Sequence, residues 1–355
     1  MDKVTPRIEI APGKIAHNAR ALMALYGSKG ISITGVTKGV CGLPAIASIL
    51  LQAGINTLAD SKIANILRMR KSGIRTAFLL LRTPAMSQVE EVIQYADISL
   101  NTELTVIDAL SRCARKSGKC HRIILMVDLG DLREGILPSD LEDVVSEVLK
   151  YEGVRLTGLG ANLACFGGVQ PDEDKMRLLC SLVEKVEKKF GISLEIVSAG
   201  NSANYSWFTT TKDVGRINNL RVGESLFLGR ETLYRNPVPG LYTDAFTLVA
   251  EVIESKIKPS IPEGDLCQDA SGRIPLFKDR GLIRRVLLNI GLQDVQVAGL
   301  FPRMDVEVLG ATSDHVILDA KERDLQVGDE VAFDLSYKAF STAMASPYVE
   351  KTLLS

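Results

Sequence analysis

Ile31-Ser32-Ile33-Thr34-Gly35-Val36-Thr37-Lys38 is an apolar, β-branched run that closes on a lysine. Such a run reads as a strand. A lysine at its end has its Cα held by the sheet, while its amine can project into a cleft beyond the strand's C-terminal end. Desolvation there disfavours the ammonium, lowers its pKa and makes the amine nucleophilic. Most strand-end lysines are simply solvated, so the weight of this one depends on the sequence around it.

Working outward, the same kind of run recurs. Ile55–Asp60, Thr76–Leu81, Asp97–Leu100, Ile123–Leu129, Leu156–Leu163, Leu194–Ser198 and Asn219–Gly223 read as further strands. Between them lie segments with helical spacing, among them Leu43–Leu51, Ser61–Lys71, Leu104–Lys116 and Asp174–Phe190. Repeated βα units imply a parallel sheet with helices outside it. About eight such strands favour a closed (β/α)₈ barrel over an open sheet. The pattern changes at Asn236-Pro237-Val238-Pro239-Gly240, after which short β-rich runs alternate with turn signals such as Pro262-Glu263-Gly264-Asp265. The expectation is an α/β chain, with a (β/α)₈ barrel over residues 1–235 and an all-β C-terminal domain over residues 236–355.

Composition narrows the partners. The 355 residues are 46% hydrophobic and 24% charged, enough to bury a large core. The net charge is −1, from 42 basic and 43 acidic residues, and no long basic run stands out. Nucleic acid is therefore not an expected partner. The longest apolar runs, such as Ile123–Val127, are far too short to span a bilayer, so no membrane is expected either. The opening MDKVTPRIEI has no apolar core of signal-peptide length. Six cysteines, Cys41, Cys113, Cys120, Cys165, Cys180 and Cys267, show neither CxxC nor zinc-ligand spacing. The reading is a cytoplasmic protein with reduced thiols and no metal.

Active sites of (β/α)₈ barrels form beyond the C-terminal ends of the strands. Those ends carry Lys38, Asp60, Arg82, Asn101, Asp128 with Arg133, Asn162, Gly200-Asn201-Ser202 and Arg221-Val222-Gly223-Glu224. Barrels often bind phosphate after strands seven and eight. There, Ser198-Ala199-Gly200-Asn201-Ser202-Ala203 offers small residues, a hydroxyl and backbone N–H groups at a helix start, and Gly223 permits a second close approach. Each loop alone reads equally as an ordinary turn. A strand-one lysine and a phosphate cradle on one barrel together suit pyridoxal 5′-phosphate (PLP). Lys38 would bond its aldehyde, the cradle would take its phosphate, and Arg221 could address its ring nitrogen.

Over nearly its whole length the chain also resembles the PLP-dependent alanine racemase superfamily. Val36-Thr37-Lys38 is similar to the cofactor-lysine segment, and Arg221-Val222-Gly223 to the arginine–x–glycine that contacts ring nitrogen and phosphate. Val308-Leu309-Gly310-Ala311-Thr312-Ser313-Asp314 resembles the second-domain loop that reaches the partner subunit's site. Leu125 to Gly135, Gly200-Asn201-Ser202, Leu228-Gly229-Arg230-Glu231-Thr232 and Gly310 to His315 resemble the ornithine racemase-like subgroup. The resemblance implies an amino-acid racemase acting as a head-to-tail homodimer. Its cofactor residues would be Lys38, Asn162, Gly200, Asn201, Ser202, Arg221, Gly223 and Glu224. Arg133, Ser313 and Asp314 would bind substrate, Arg133 through the carboxylate and Asp314 through the distal amine of ornithine or another basic amino acid. Alanine or broad specificity is the alternative.

Two departures matter. Lys38 is followed by Gly39-Val40-Cys41-Gly42, without the tyrosine the family places there. The tyrosine that serves as second base in alanine racemases is absent from Gly264-Asp265-Leu266-Cys267-Gln268-Asp269-Ala270. By aligned position Asp269 is the first candidate for that base and Cys267 the second, with His315 or Tyr337 behind them. Plainer readings stand beside these. Arg133 could pair only with Asp128, Asp131 or Glu134. Asn162 could be a satisfied strand-end amide, Asp314 a turn cap, and His17 and His121 structural. A decarboxylase or aldolase on the same architecture, a non-catalytic PLP carrier and a PLP-free Schiff-base enzyme are the rival functions.

Overall fold

The computed structural model describes residues 4–268, 272 and 274–354. After β1 (Arg7–Ile10) come eight strands: β2 (Ser32–Val36), β3 (Thr57–Asp60), β4 (Ala77–Leu80), β5 (Ile98–Asn101), β6 (His121–Val127), β7 (Val154–Ala161), β8 (Ile196–Ser198) and β9 (Asn219–Val222). They form a closed barrel of parallel neighbours, shut by β9 on β2 from Ser32↔Asn219 to Gly35↔Val222. Strands buried on both faces need unbroken apolar runs rather than alternation. Ile123 to Val127 meet that need, at 1% exposure or less. Inside the barrel Val36, Ala59, Leu79, Ile98, Leu100, Ile124 and Met126 pack together. Gly158 lets β8 approach β7, since a Cβ there would strike the carbonyl oxygen of Ile196.

The connecting helices are α1 (Pro12–Gly27), α2 (Pro44–Gln52), α3 (Ile63–Lys71), α4 (Val89–Tyr95), α5 (Leu104–Lys116), α6 (Leu141–Val148), α7 (Glu173–Phe190), α8 (Tyr205–Thr210) and α9 (Glu224–Leu228). Their burial follows helical spacing: α5 buries Val106, Ile107, Leu110 and Ala114. Asp172 caps α7 by accepting from the Lys175 N–H, and Gly191, at φ 64°, ends it in the left-handed region. Among the described residues no helix is long and apolar enough to cross a membrane.

The remaining strands are β10 (Phe246–Pro259), β11 (Leu282–Leu288), β12 (Leu300–Pro302), β13 (Glu307–Ala311), β14 (Val316–Asp319), β15 (Glu330–Leu335) and β16 (Glu350–Leu353). Their order is β12-β15-β10-β11-β14-β13. The chain divides into a barrel unit, Gly13–Thr243, and a sheet unit of Met1–Pro12 with Asp244–Ser355. This differs from a cut at 235/236 in two ways. First, β1 belongs to the sheet, antiparallel to β10 and parallel to β16, with Ile8 and Ile10 fully buried. Second, residues up to 243 stay with the barrel, because Asn18 exchanges two 2.8 Å hydrogen bonds with the Tyr242 backbone. The sheet unit also holds a helix, α10 (Tyr337–Ala345), capped by Ser336 and burying Ala339, Phe340, Ala343 and Met344.

His121 is structural. It is 4% exposed, and its Nε2 lies 2.9 Å from Ser99 Oγ. Burial, and then the nearby Lys119 charge, lowers its pKa from 6.5 to about 4. As pH falls below 6.5 the unfolded imidazole takes up a proton and the folded one does not. Stability from this group is therefore full above that value and lost by about pH 4. The loss approaches about 3 kcal/mol. Urea unfolding at pH 7 and pH 4.5 should show a smaller acid loss in His121→Gln than in wild type. Equal losses would refute the assignment.

Candidate active site

Lys38 opens a short 3₁₀ turn, Lys38–Val40, two residues beyond β2. The turn is anchored by Thr37, whose hydroxyl donates to Asp60 Oδ2 at 2.8 Å. The Asp60 carboxylate also accepts from Asn65 Nδ2 at 3.0 Å and the Lys62 N–H at 2.9 Å. Burial raises the pKa of Asp60, while these hydrogen bonds oppose the rise. Lys38 itself reaches solvent at the barrel mouth, but the walls around it are dense. That burial lowers its pKa; Cys165 opposes the shift, and the charges of Arg133 and Arg221 add to it. The result is an amine with an enlarged neutral fraction at the position the sequence predicts.

Arg221 is buried on β9. Its Nη1 donates to the Ser198 carbonyl at 2.9 Å and Ser198 Oγ at 2.6 Å, and Nη2 to the Ala161 carbonyl at 2.7 Å. Ser198 Oγ spends its own proton on Asn219 Oδ1 at 2.6 Å, which leaves its lone pairs to Arg221. No carboxylate accepts from Arg221 among the described residues. Burial, and then repulsion from Arg133, pulls its pKa down to about 10, so it stays charged at neutral pH.

Asn162 lies beside it. Its Oδ1 accepts from Asn201 Nδ2 at 3.1 Å and stands 3.5 Å from Arg221 Nη2. Gly200, at φ 133°, bends the chain after β8 so that Asn201 starts a short turn in a reciprocal capping box with Asn204. Ser202 Oγ accepts from the Ser225 N–H at 3.2 Å, which joins this turn to the start of α9. The first N–H groups of a helix have no helical acceptor, and among the described residues no other acceptor takes the N–H of Ser202 or Glu224. Gly223 sits where a Cβ would come within 3.2 Å of Val36 Cβ. Glu224 is 7% exposed.

Arg133 is half-buried and pairs bidentately with Glu134; its Nη1 also contacts Cys165 Sγ at 2.8 Å. Of the three acids the sequence offered as its partner, Glu134 is the one it takes. Asp128 accepts from the Gly130 and Asp131 N–H groups. Asp131, 1% exposed, accepts from the backbone of Cys165, Phe166 and Val169 at 3.1 Å each. Asp131 thus fastens the loop after β7 to the loop after β6, a role that sequence reading missed. Its only signal was an aspartate in a loop beside a glycine.

Two strand-end candidates stand apart. Arg82 is solvated and contacts Gln88, while Asn101 is fully buried, its Nδ2 bound to Ser99. In the sheet unit, Ser313 and Asp314 lie in the exposed turn between β13 and β14. There Asp314 accepts from Ser313 Oγ at 2.6 Å and Gln293 Nε2 at 3.1 Å. Cys267 is exposed in the same unit, and none of the six cysteines forms a disulfide. Asp269 lies outside the described residues. His17 is held by the Gly240 carbonyl and the Tyr242 ring, in keeping with a structural role. Among the described residues no cluster could hold a metal ion.

These residues fit PLP. A buried guanidinium from which no carboxylate accepts among the described residues, two short helical starts able to take an anion and an amine of lowered pKa lie at the C-terminal ends of the strands of one barrel, an arrangement that suits pyridoxal phosphate. The chain belongs to the alanine racemase family and is a PLP-dependent amino-acid racemase: the family model "Alanine racemase, N-terminal domain" matches residues 10–231. It is 38% identical to the ornithine racemase of Acetoanaerobium sticklandii, over 98% of this chain and 99% of that one. It is 39% identical to the lysine racemase of Thermotoga maritima, over 98% of each. In fold it matches the alanine racemase of Streptomyces lavendulae, with a TM-score of 0.76 at 19% identity, covering 99% of this chain and 98% of that one.

Proposed function

We propose that this racemase interconverts the enantiomers of a basic amino acid, ornithine or lysine. The observation that carries this is the near-equal, almost end-to-end identity to an ornithine and a lysine racemase, sheet unit included. Bound PLP supplies an electron sink that acidifies the Cα–H of the attached amino acid. Lys38, with its enlarged neutral fraction, exchanges that proton on one face of Cα. Arg133 holds the substrate carboxylate, and Glu134 keeps the guanidinium aimed while leaving N–H donors over. Arg221, charged at neutral pH, donates to the ring nitrogen without surrendering a proton to it. The N–H groups of Ser202 and Glu224, with the Ser202 hydroxyl, take the phosphate, and Asn162 with Asn201 walls the site.

The proton on the opposite face falls to the sheet unit, to Asp269 or, failing it, Cys267. Ser313 and Asp314 of that unit serve the distal amine, and a head-to-tail homodimer delivers both. We place the enzyme in the cytoplasm. Incubation with PLP and separate L-amino acids in D₂O tests the reading. D-ornithine or D-lysine carrying deuterium at Cα should form at least tenfold faster than D-alanine. Faster exchange of alanine would assign another substrate, and no exchange at all would leave a PLP carrier or another bond-breaking reaction.

A further inference from the structure

Glu224 is the one acid at the cradle whose chemistry the racemase reading leaves unused. Its Oε1 is sealed from solvent and meets no hydrogen-bond partner among the described residues. Arg235 Nε lies 3.2 Å away, close enough for charge pairing but not aligned for a hydrogen bond. The loop after α9 could have supplied more, but its groups are committed elsewhere. Glu231 accepts from the N–H groups of Leu233, Tyr234 and Asn236. Arg230 Nη1 donates to the Arg235 carbonyl at 2.9 Å, and Arg235 Nη1 to the Thr232 carbonyl.

The backbone of the same residue supplies one of the cradle's free N–H groups. By bond lengths alone, a carboxyl cannot lie more than about 5 Å from its own residue's nitrogen. An ionised Glu224 would therefore stand within roughly 10 Å of a phosphate dianion held at that N–H, in a water-poor pocket where like charges repel. A protonated Glu224 would instead carry an O–H donor, at a carboxyl whose Oε1 accepts no hydrogen bond among the described residues and has the Arg235 charge beside it.

We propose that Glu224 serves the cofactor's phosphate as a neutral carboxylic acid, so that loading the cofactor takes up one proton. The free protein is already poised for this. Burial first, against the opposing charges of Arg235, Lys38 and Arg230 and with the help of Glu231, raises the Glu224 pKa to about 7. Close to neutrality the group is half protonated before any phosphate arrives. The consequence is a cofactor affinity that declines as pH rises above 7, set by this side chain and not by the lysine.

The inference rests on the cofactor reading above, and its test does not use turnover. Pyridoxine 5′-phosphate has no aldehyde, so Lys38 cannot bond to it. Its binding to the full-length apoprotein would be followed by calorimetry from pH 7 to pH 9, where a phosphate monoester is already dianionic. The ratio of wild-type to Glu224→Gln affinity should fall about tenfold per pH unit once Glu224 is ionised, the slope of one linked proton. Glu224→Gln keeps the donor and cannot ionise, so its own profile carries only the titration of the ligand and of the remaining protein groups. Calorimetry at pH 8 in buffers of different ionisation enthalpy should count about one proton more taken up by wild type than by Glu224→Gln, a difference from which any proton released by the ligand's ring nitrogen cancels.

Parallel pH profiles, or equal proton counts, would overturn the proposal and assign the uptake to Lys38 or the phosphate itself. If Glu224→Gln does not fold, Glu224→Met, of similar length, replaces it as the non-ionising variant and should remove the same proton from the count. Racemisation failing in D₂O with this proton linkage intact would overturn the substrate reading and leave the role of Glu224 standing.

Discussion

Lys38→Ala will abolish racemisation, lowering kcat by about 10⁴-fold or more, the upper range for removing a positioned acid–base group. The same change will remove the visible absorbance that PLP acquires on a lysine, because the cofactor loses its covalent anchor. Little stability should go with it, since Lys38 reaches solvent and the turn that presents it is held by Thr37 and Asp60. Added methylamine should restore part of the rate by supplying a free amine. Turnover that persists in Lys38→Ala without added amine would sink the mechanism.

Arg133→Gln should raise KM for L-ornithine by roughly 10- to 100-fold, as expected when a charge-assisted hydrogen bond worth about 1.5–3 kcal/mol is lost. The change also strips Glu134 of its bidentate partner inside the barrel mouth. The Arg133→Gln, Glu134→Gln double variant separates the two effects. If Arg133 binds the substrate carboxylate, the double variant keeps the high KM. If Arg133 serves only as a local partner of Glu134, KM in the double variant returns to the wild-type value. Initial rates against substrate concentration for the two variants decide between these outcomes.

The strand-end lysine, the eight-strand rhythm and the phosphate cradle were legible in the sequence because each is a local pattern. An apolar run such as Ile123–Val127 declares a doubly buried strand wherever it sits, and strand order then dictates which ends share a mouth. Arg133 was legible as a candidate for the substrate carboxylate, but its local partner was left open among three acidic neighbours. The choice fell to Glu134 because Asp128 and Asp131 are spent on backbone N–H groups, a matter of loop conformation that residue types do not reveal. The helix α10 escaped notice among strands because its nine residues follow strand-like runs closely; its Ser336 cap and spaced Ala339, Phe340 and Ala343 are its only markers.

What the sequence determined by itself is the barrel, the β-rich second unit, a lysine just beyond the end of the first barrel strand and the family they share. Periodicity, turn chemistry and motif spacing act over a few residues and survive without a partner. What only the tertiary structure decided is pairing through space. The strand Arg7–Ile10 reads alike whatever sheet it joins, and its place beside β10, some 240 residues on, follows from burying Ile8 and Ile10. Arg221 is marked by sequence as a candidate contact to the ring nitrogen, but its burial against carbonyls and a hydroxyl, with no carboxylate accepting from it among the described residues, is a product of the fold. Glu224 is marked by sequence as a cradle residue, but only the fold shuts water from its carboxyl and leaves Oε1 beside Arg235 without a hydrogen bond among the described residues. Desolvation is a property of everything packed around a group, so no reading of its own neighbours in sequence could have supplied it.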